Sequence, residues 1–151
     1  MNFLDIILFP LYVYLFHLIF TARRKKIKDP ALRFYHKYGF WVKIFSTFAI
    51  TIFNLYISIG DSTTLYYKEG NNLFNLILQD PENVKWLFME GKDFSKDLIL
   101  DSGNRGYFGS EANFFIIRLV AIFSFFSFGS YIVINLFFSM IAYTGIWKLF
   151  R

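Results

Sequence analysis

The sequence predicts an all-α, polytopic transmembrane protein with about four spans and a helical extracytoplasmic loop between spans 2 and 3. Of its 151 residues, 56% are hydrophobic and 22 are Phe, which is too apolar for an ordinary water-soluble domain. Charged residues make up only 18% and are clustered, so long stretches remain that a bilayer accepts almost side chain by side chain. Several of those stretches approach the roughly 20 residues that cover about 30 Å of hydrocarbon.

The first span covers Phe3 to Phe20, within residues 1–20. Asp5 precedes the apolar run and no basic cluster does, unlike a cleaved signal peptide, so this segment is expected to stay in the membrane. Asp5 reads as an interfacial group and Pro10 as a tolerated kink. His17 reads as a packing residue. Residues 21–39 form a basic cytoplasmic loop, and the second span, residues 40–60, starts in the aromatic cluster Tyr38, Phe40 and Trp41 that suits headgroup level.

Residues 61–112 are too many for a mere connector, and their pattern is that of folded helices. Asp61, Ser62 or Thr63 can cap a helix running to about Gln79, with Leu65, Tyr66, Leu73, Phe74, Leu76, Ile77 and Leu78 giving it an apolar side along the membrane surface. Asp80-Pro81-Glu82 marks a fresh helix start: a capping Asp, Pro at the first helical position and Glu in the first turn. The run Asp101-Ser-Gly-Asn-Arg-Gly-Tyr-Phe-Gly-Ser110 carries three glycines and one cation, Arg105, and can fold over a ligand.

Residues 113–150 would measure about 56 Å as one straight helix at about 1.5 Å per residue, nearly twice what a bilayer covers. Phe128-Gly129-Ser130-Tyr131 is the turn-capable break, so a hairpin is expected, with spans 3 and 4 at about Asn113 to Ser127 and Tyr131 to Phe150. The third span is short. The alternative is a helix that dips into the membrane and returns, leaving three crossings.

Orientation follows from charge. Between Thr21 and Lys43, in the first loop and the start of span 2, Arg23, Arg24, Lys25, Lys26, Lys28, Arg33, Lys37 and Lys43 face Asp29 alone, a positive-inside signal. Residues 61–111 hold nine acidic and five basic residues, a formal charge of −4, and belong on the other face. The amino terminus is then expected on the periplasmic side, and the abundance of Phe, Ile, Lys and Asn, as AT-rich bacterial coding produces, points to a bacterial inner (cytoplasmic) membrane. With four spans, Lys148 and Arg151 would lie outside, which favours the three-crossing alternative.

Several function classes drop out. Cysteine is absent, so no thiol nucleophile, disulfide or thiolate metal site exists, and two histidines make no histidine metal site. No Gly-rich phosphate loop, Gly-x-Ser-x-Gly elbow or His-Glu-x-x-His occurs. The basic run reads as topogenesis plus attraction to anionic lipid heads, not as a nucleic-acid site. No cofactor is indicated, and whether the protein is an enzyme stays open.

Asp61 is the first candidate site residue, a carboxylate at the outer end of a span followed by Tyr66 and Tyr67, where it meets both water and lipid heads. It reads as a helix N-cap, and functionally as a catalytic general base or a metal ligand near a lipid-phosphate substrate. Arg118 is the second: an arginine a turn and a half into an apolar helix needs a partner, by snorkelling, by gripping a lipid phosphate with Arg105, Tyr66 and Tyr67, or by pairing with an acidic loop residue. Asp61 and Arg118 are expected on the same outer face.

The segments Ile59-Gly60-Asp61-Ser62-Thr63-Thr64-Leu65-Tyr66-Tyr67, Asp80-Pro81, Phe114-Phe-Ile-Ile-Arg118 and Gly145-Ile-Trp-Lys148 resemble the amino-terminal part of longer polytopic inner-membrane proteins of Bacteroidetes. Their layout is similar to GT-C lipid-linked-sugar glycosyltransferases and polysaccharide polymerases, in which an acidic residue just beyond a span opens an outer loop with surface helices. The resemblance implies work in or beside envelope polysaccharide or glycolipid assembly, with a lipid-linked sugar as partner and Asp61 in the acidic position. An extra span precedes the Asp-bearing one here, and such enzymes continue through many more helices, so the chain reads as part of a longer protein or as a shortened relative. The competing expectation is a non-enzymatic subunit or scaffold of a larger membrane complex.

Overall fold

The computed structural model describes residues 3–57, 62–89 and 110–150. They are helical throughout, in the order α1 (Phe3–Lys25), α2 (Pro30–Tyr56), a π-helical turn (Ser62–Tyr67), α3 (Lys68–Gln79), a 3-10 helix (Pro81–Leu87), α4 (Glu111–Ser127) and α5 (Tyr131–Leu149). Three of them, α1, α2 and α5, are long and apolar enough to cross a membrane.

The chain divides into two units, residues 1–53 with 130–151, and residues 54–129. In the first unit, α1 and α2 extend further into the basic segment than the apolar pattern alone indicates, leaving only residues 26–29 between them. Arg and Lys are good helix formers, and Arg23, Arg24 and Lys25 complement the carboxyl end of the α1 dipole. The reversal is tightly held. Asp29 Oδ1 accepts from the Ala31 amide at 2.8 Å, Pro30 occupies the first helical position, and Arg33 donates through Nη2 and Nε to the Ile27 carbonyl at 2.7 and 3.2 Å.

Ring contacts fix the directions of the helices. Phe9 meets Phe48 and Phe20 meets Phe40, so α1 and α2 are antiparallel. Tyr12 meets Phe137 and Phe20 meets Tyr143, so α1 and α5 are parallel. The core is built from Phe20, Phe40, Ile44, Leu136, Met140 and Tyr143. Hydroxyl and amide groups tie the rest together: Ser130 Oγ donates to Asp5 Oδ1 at 2.5 Å, Asn135 Nδ2 to Thr51 Oγ1 at 3.1 Å, and Thr47 Oγ1 to Ser139 Oγ at 2.6 Å. Such bonds act as glue where neighbouring side chains are apolar. Asp5 is therefore a buried bundle contact as well as an end-of-helix residue, and His17 packs against Phe40 and Trp41.

In the second unit, α3 and α4 lie parallel. Tyr66 at the head of α3 reaches Asn113, Gly70 faces the Ile117 carbonyl and Val120, and Phe74 meets the Phe125 ring edge-on at 4.9 Å. The apolar side expected for α3 is realised by Leu65, Leu73, Phe74 and Ile77, which are buried, while Leu78 is exposed. With Trp86, Phe114, Ile117 and Ala121 the last three form one core. The expected start at Asp80 is also found: its Oδ1 accepts from the Glu82 amide at 3.0 Å, with Pro81 next in sequence. The helix that follows is of the tighter 3-10 kind and buries Trp86, whereas Phe88 just beyond it is exposed.

The break between α4 and α5 falls where the sequence places it. Phe128 and Gly129 both adopt positive φ, 51° and 71°, and the Gly129 amide closes the α4 end onto the Ser124 carbonyl at 3.2 Å. At 17 residues α4 is about 25 Å long, short of the hydrocarbon thickness.

Candidate functional site

The first unit holds a cavity of about 350 Å³ where the carboxyl ends of α1 and α5 meet the amino end of α2. Its placement follows from the helix directions. Because α5 runs parallel to α1, Lys148 arrives beside Arg23 and Lys26, and all three cations line the space. Tyr143 Oη donates to the His36 carbonyl at 2.6 Å and the Trp147 ring lies 4.9 Å from the His36 ring, which anchors this end of α5 on α2. Phe20, Ile27, Leu32, Trp147 and Phe150 supply apolar wall, and Thr144 and His36 add polar groups.

Among the described residues, no carboxylate side chain lines the cavity. Asp29, the nearest acid in sequence, is committed to the Ala31 amide. Arg23 lies over the Phe20 ring at 5.5 Å, so a phenyl face steadies one cation without neutralising it. The volume is within the ordinary range of ligand pockets, about 300–1,000 Å³. Three cations around an amphipathic wall suit a group carrying phosphate at one end and hydrocarbon at the other.

The residues singled out in the outer loop are placed differently. Asp61 and Arg105 lie outside the described residues, as do the glycine-containing run that holds Arg105 and the expected approach of Asp61 to Arg118. Tyr66 Oη donates to Asn113 Oδ1 at 2.9 Å, and Tyr67 Oη donates to the Gly129 carbonyl at 2.5 Å. Both phenols thus bridge the head of α3 to α4 and to the turn after it. Arg118 donates through Nη2 to Glu111 Oε1 at 2.5 Å and to the Met89 carbonyl, with its guanidinium 4.5 Å from the Phe114 ring centre. Its side chain is 14% exposed, and Nε is buried without an acceptor. Of the partners expected for this arginine, an acidic one is realised, supplied by the first turn of its own helix.

Glu69 was not apparent as a candidate. Its side chain is fully buried, and neither carboxyl oxygen has a hydrogen-bond partner. The available signal is helical spacing: Glu69 stands four residues after Leu65 and four before Leu73, in the middle of an otherwise apolar stripe. Among the described residues, no group of three or more His, Asp or Glu side chains is placed to hold a metal ion. Comparison with protein-family models, with curated proteins and with solved structures finds no match to this chain.

Proposed function

We propose that this is a three-crossing membrane protein that binds a phosphate-bearing lipid headgroup at its basic, cytoplasmic end. The observation that carries the reading is the cavity walled by Arg23, Lys26 and Lys148, with no carboxylate side chain among the described residues of its lining. Each basic group near a membrane surface contributes about 1 kcal/mol of attraction to anionic lipid, and converging three of them selects a headgroup over diffuse surface charge. Phe20, Trp147 and Phe150 offer the glycerol and upper acyl region an apolar seat.

The crossing number follows from parity. In the first unit, Thr51 near the end of α2 bonds to Asn135 near the start of α5, and Asp5 bonds to Ser130, so the chain leaves and re-enters this bundle at one end. If α1, α2 and α5 cross, the intervening segment begins and ends on one face. The dipping alternative for α4 then replaces a fourth crossing. Lys148 joins the cytoplasmic cations, and the amino terminus and the acidic segment lie on the periplasmic side of a bacterial inner membrane.

The resemblance to lipid-linked-sugar enzymes narrows the ligand class to examine first: lipid phosphates bearing a sugar, in or beside envelope glycolipid assembly. The role assigned is that of a lipid-binding membrane subunit. Because the chain has no cysteine, single Cys positions report cleanly. Lys28→Cys and Lys148→Cys are expected to share protection from an impermeant thiol reagent, and Gln79→Cys to react. In native mass spectrometry, anionic phospholipid is expected to remain bound to the wild type and to be lost from an Arg23→Gln, Lys26→Gln, Lys148→Gln triple variant. Displacement by inorganic phosphate alone would indicate a soluble phosphate ligand, and equal retention of phosphatidylcholine would end the proposal.

A further inference from the structure

The second unit has two unlike outer faces. On α4, the stripe Phe115, Leu119, Ile122 and Phe126 turns away from the buried stripe Phe114, Ile117, Ala121 and Ser124, and it carries no polar side chain. Phe115 and Phe126 are more than half exposed, and Phe125 beside them is 39% exposed. On α3, the exposed groups turned away from the shared core are Lys68, Asn75 and Gln79, all polar, with Leu78 beside them as a single exposed apolar side chain. A pair of helices in water would not leave phenylalanines out along one whole side while its other side is solvated. A pair lying at a bilayer surface would.

Arg118 is the residue that ought to forbid such a placement, since a cation on a lipid-facing helix is costly. The structure removes the objection. Its guanidinium is held over the Phe114 ring, which belongs to the buried stripe, and is bonded to Glu111 and to the Met89 carbonyl. The cation is thereby kept on the protein side of α4. Glu111, 56% exposed, marks the amino end of α4 as the end that meets water or headgroups.

We infer that α4 is a monotopic helix embedded in one leaflet, its Phe115–Phe126 stripe among acyl chains and α3 roofing it on the aqueous side. The occupant of the exposed face is the bilayer, for three reasons. The stripe is continuous and uncharged. At 17 residues, about 25 Å, α4 is at the lower limit of a crossing and shorter than the roughly 30 Å of hydrocarbon. Its carboxyl end is joined by residues 128–130 alone to α5, a helix long and apolar enough to cross, so α4 ends at the membrane face where α5 begins. This inference rests on the three-crossing reading, which requires residues 57–130 to return to the face they leave.

The test is site-directed spin labelling of single-Cys variants Phe115→Cys, Ile122→Cys and Phe126→Cys, with Asn75→Cys and Gln79→Cys on α3, in vesicles of phosphatidylethanolamine and phosphatidylglycerol. Labels on α4 are expected to collide with oxygen in preference to a water-soluble nickel chelate, all at depths under about 15 Å from one headgroup layer, half the hydrocarbon thickness. Labels on α3 are expected to favour the nickel chelate. If the α4 labels are as accessible to nickel as those on α3, while Lys28→Cys and Lys148→Cys still share one side, the inference fails alone. If α4 depths pass through the bilayer centre and Lys28→Cys and Lys148→Cys fall on opposite sides, the three-crossing reading fails with it.

Discussion

The Tyr143 hydroxyl donates a 2.6 Å hydrogen bond to the His36 backbone carbonyl, joining residues 107 positions apart. That bond, with the His36–Trp147 ring contact, holds the carboxyl end of α5 on α2, where Lys148 lines the basic cavity. Tyr143→Phe keeps the ring contacts to Phe20 and Trp147 and removes only the bond. The expected loss is about 1 kcal/mol, read as a lower thermal midpoint in detergent. Tyr143→Ala empties a site in the core and should cost about 3–5 kcal/mol. Equal midpoints for wild type and Tyr143→Phe would show that the ring alone orders α5.

Gly70 permits the close approach of α3 and α4. A Cβ there would stand 2.4 Å from Val120 Cγ1, 2.5 Å from Val120 Cβ and 3.0 Å from the Ile117 carbonyl oxygen. Gly70→Ala should therefore destabilise, by about 1–3 kcal/mol as overpacking does, even though Ala is the better helix former. Pairing it with Val120→Gly removes both offending side-chain atoms and should recover part of the loss, minus about 1 kcal/mol for glycine inside a helix. Gly70→Ala that unfolds no sooner than wild type would mean the helices can separate without cost.

Glu69 is buried with both oxygens unpartnered, and a group in that position opposes folding. Glu69→Leu is expected to be neutral or to stabilise by roughly 1–4 kcal/mol, with Glu69→Gln smaller in effect. Chemical denaturation in mixed micelles would read it. A loss of several kcal/mol in both variants would show that the carboxyl group is satisfied by an interaction the isolated chain does not make.

Glu69 also shows where reading the sequence stops. Helix positions, the Asp80 cap and the Phe128–Gly129 break were legible because each depends on local chemistry: apolar period, a capping oxygen with Pro beside it, a residue able to take positive φ. The cavity was not, since Arg23 and Lys148 are brought together by the parallel packing of α1 and α5, which leaves no local mark. The extent of α1 and α2 was underestimated for a related reason. Basic residues end an apolar run, but they do not end a helix.

Arg118 holds the end of the 3-10 helix to α4 through the Met89 carbonyl, a bond that Glu111 does not share. Glu111→Gln should change stability by under about 1 kcal/mol, because its carboxylate is more than half exposed and the pair is screened. Arg118→Ala should cost about 1–3 kcal/mol, because it also leaves the Met89 carbonyl without this donor. Limited trypsin digestion gives a local readout: cleavage after Lys85 should accelerate in Arg118→Ala and stay near the wild-type rate in Glu111→Gln. Matching acceleration in both would assign the anchoring to the ion pair.

Phe128 and Gly129 occupy adjacent positive-φ positions, yet substitution at the two should act in opposite directions. Phe128 is 69% exposed and makes this turn against the steric preference of any residue with a Cβ, a cost of about 1–2 kcal/mol. Phe128→Gly removes that strain and offsets it with greater freedom of the unfolded chain, for a net stabilisation of up to about 1 kcal/mol. At Gly129 the same reasoning reverses. A Cβ would carry the strain of φ 71° and also stand 2.6 Å from Asn71 Oδ1, while the Gly129 carbonyl must stay in place to accept from Tyr67. Gly129→Ala is thus expected to lose about 1–2 kcal/mol, and Asn71→Ala combined with it should relieve the contact but not the backbone strain. Thermal midpoints of these three variants and the wild type in one detergent decide the matter. If Phe128→Gly falls below wild type, the exposed ring is itself held by something, and acyl chains at the membrane face where α5 begins are the first place to look.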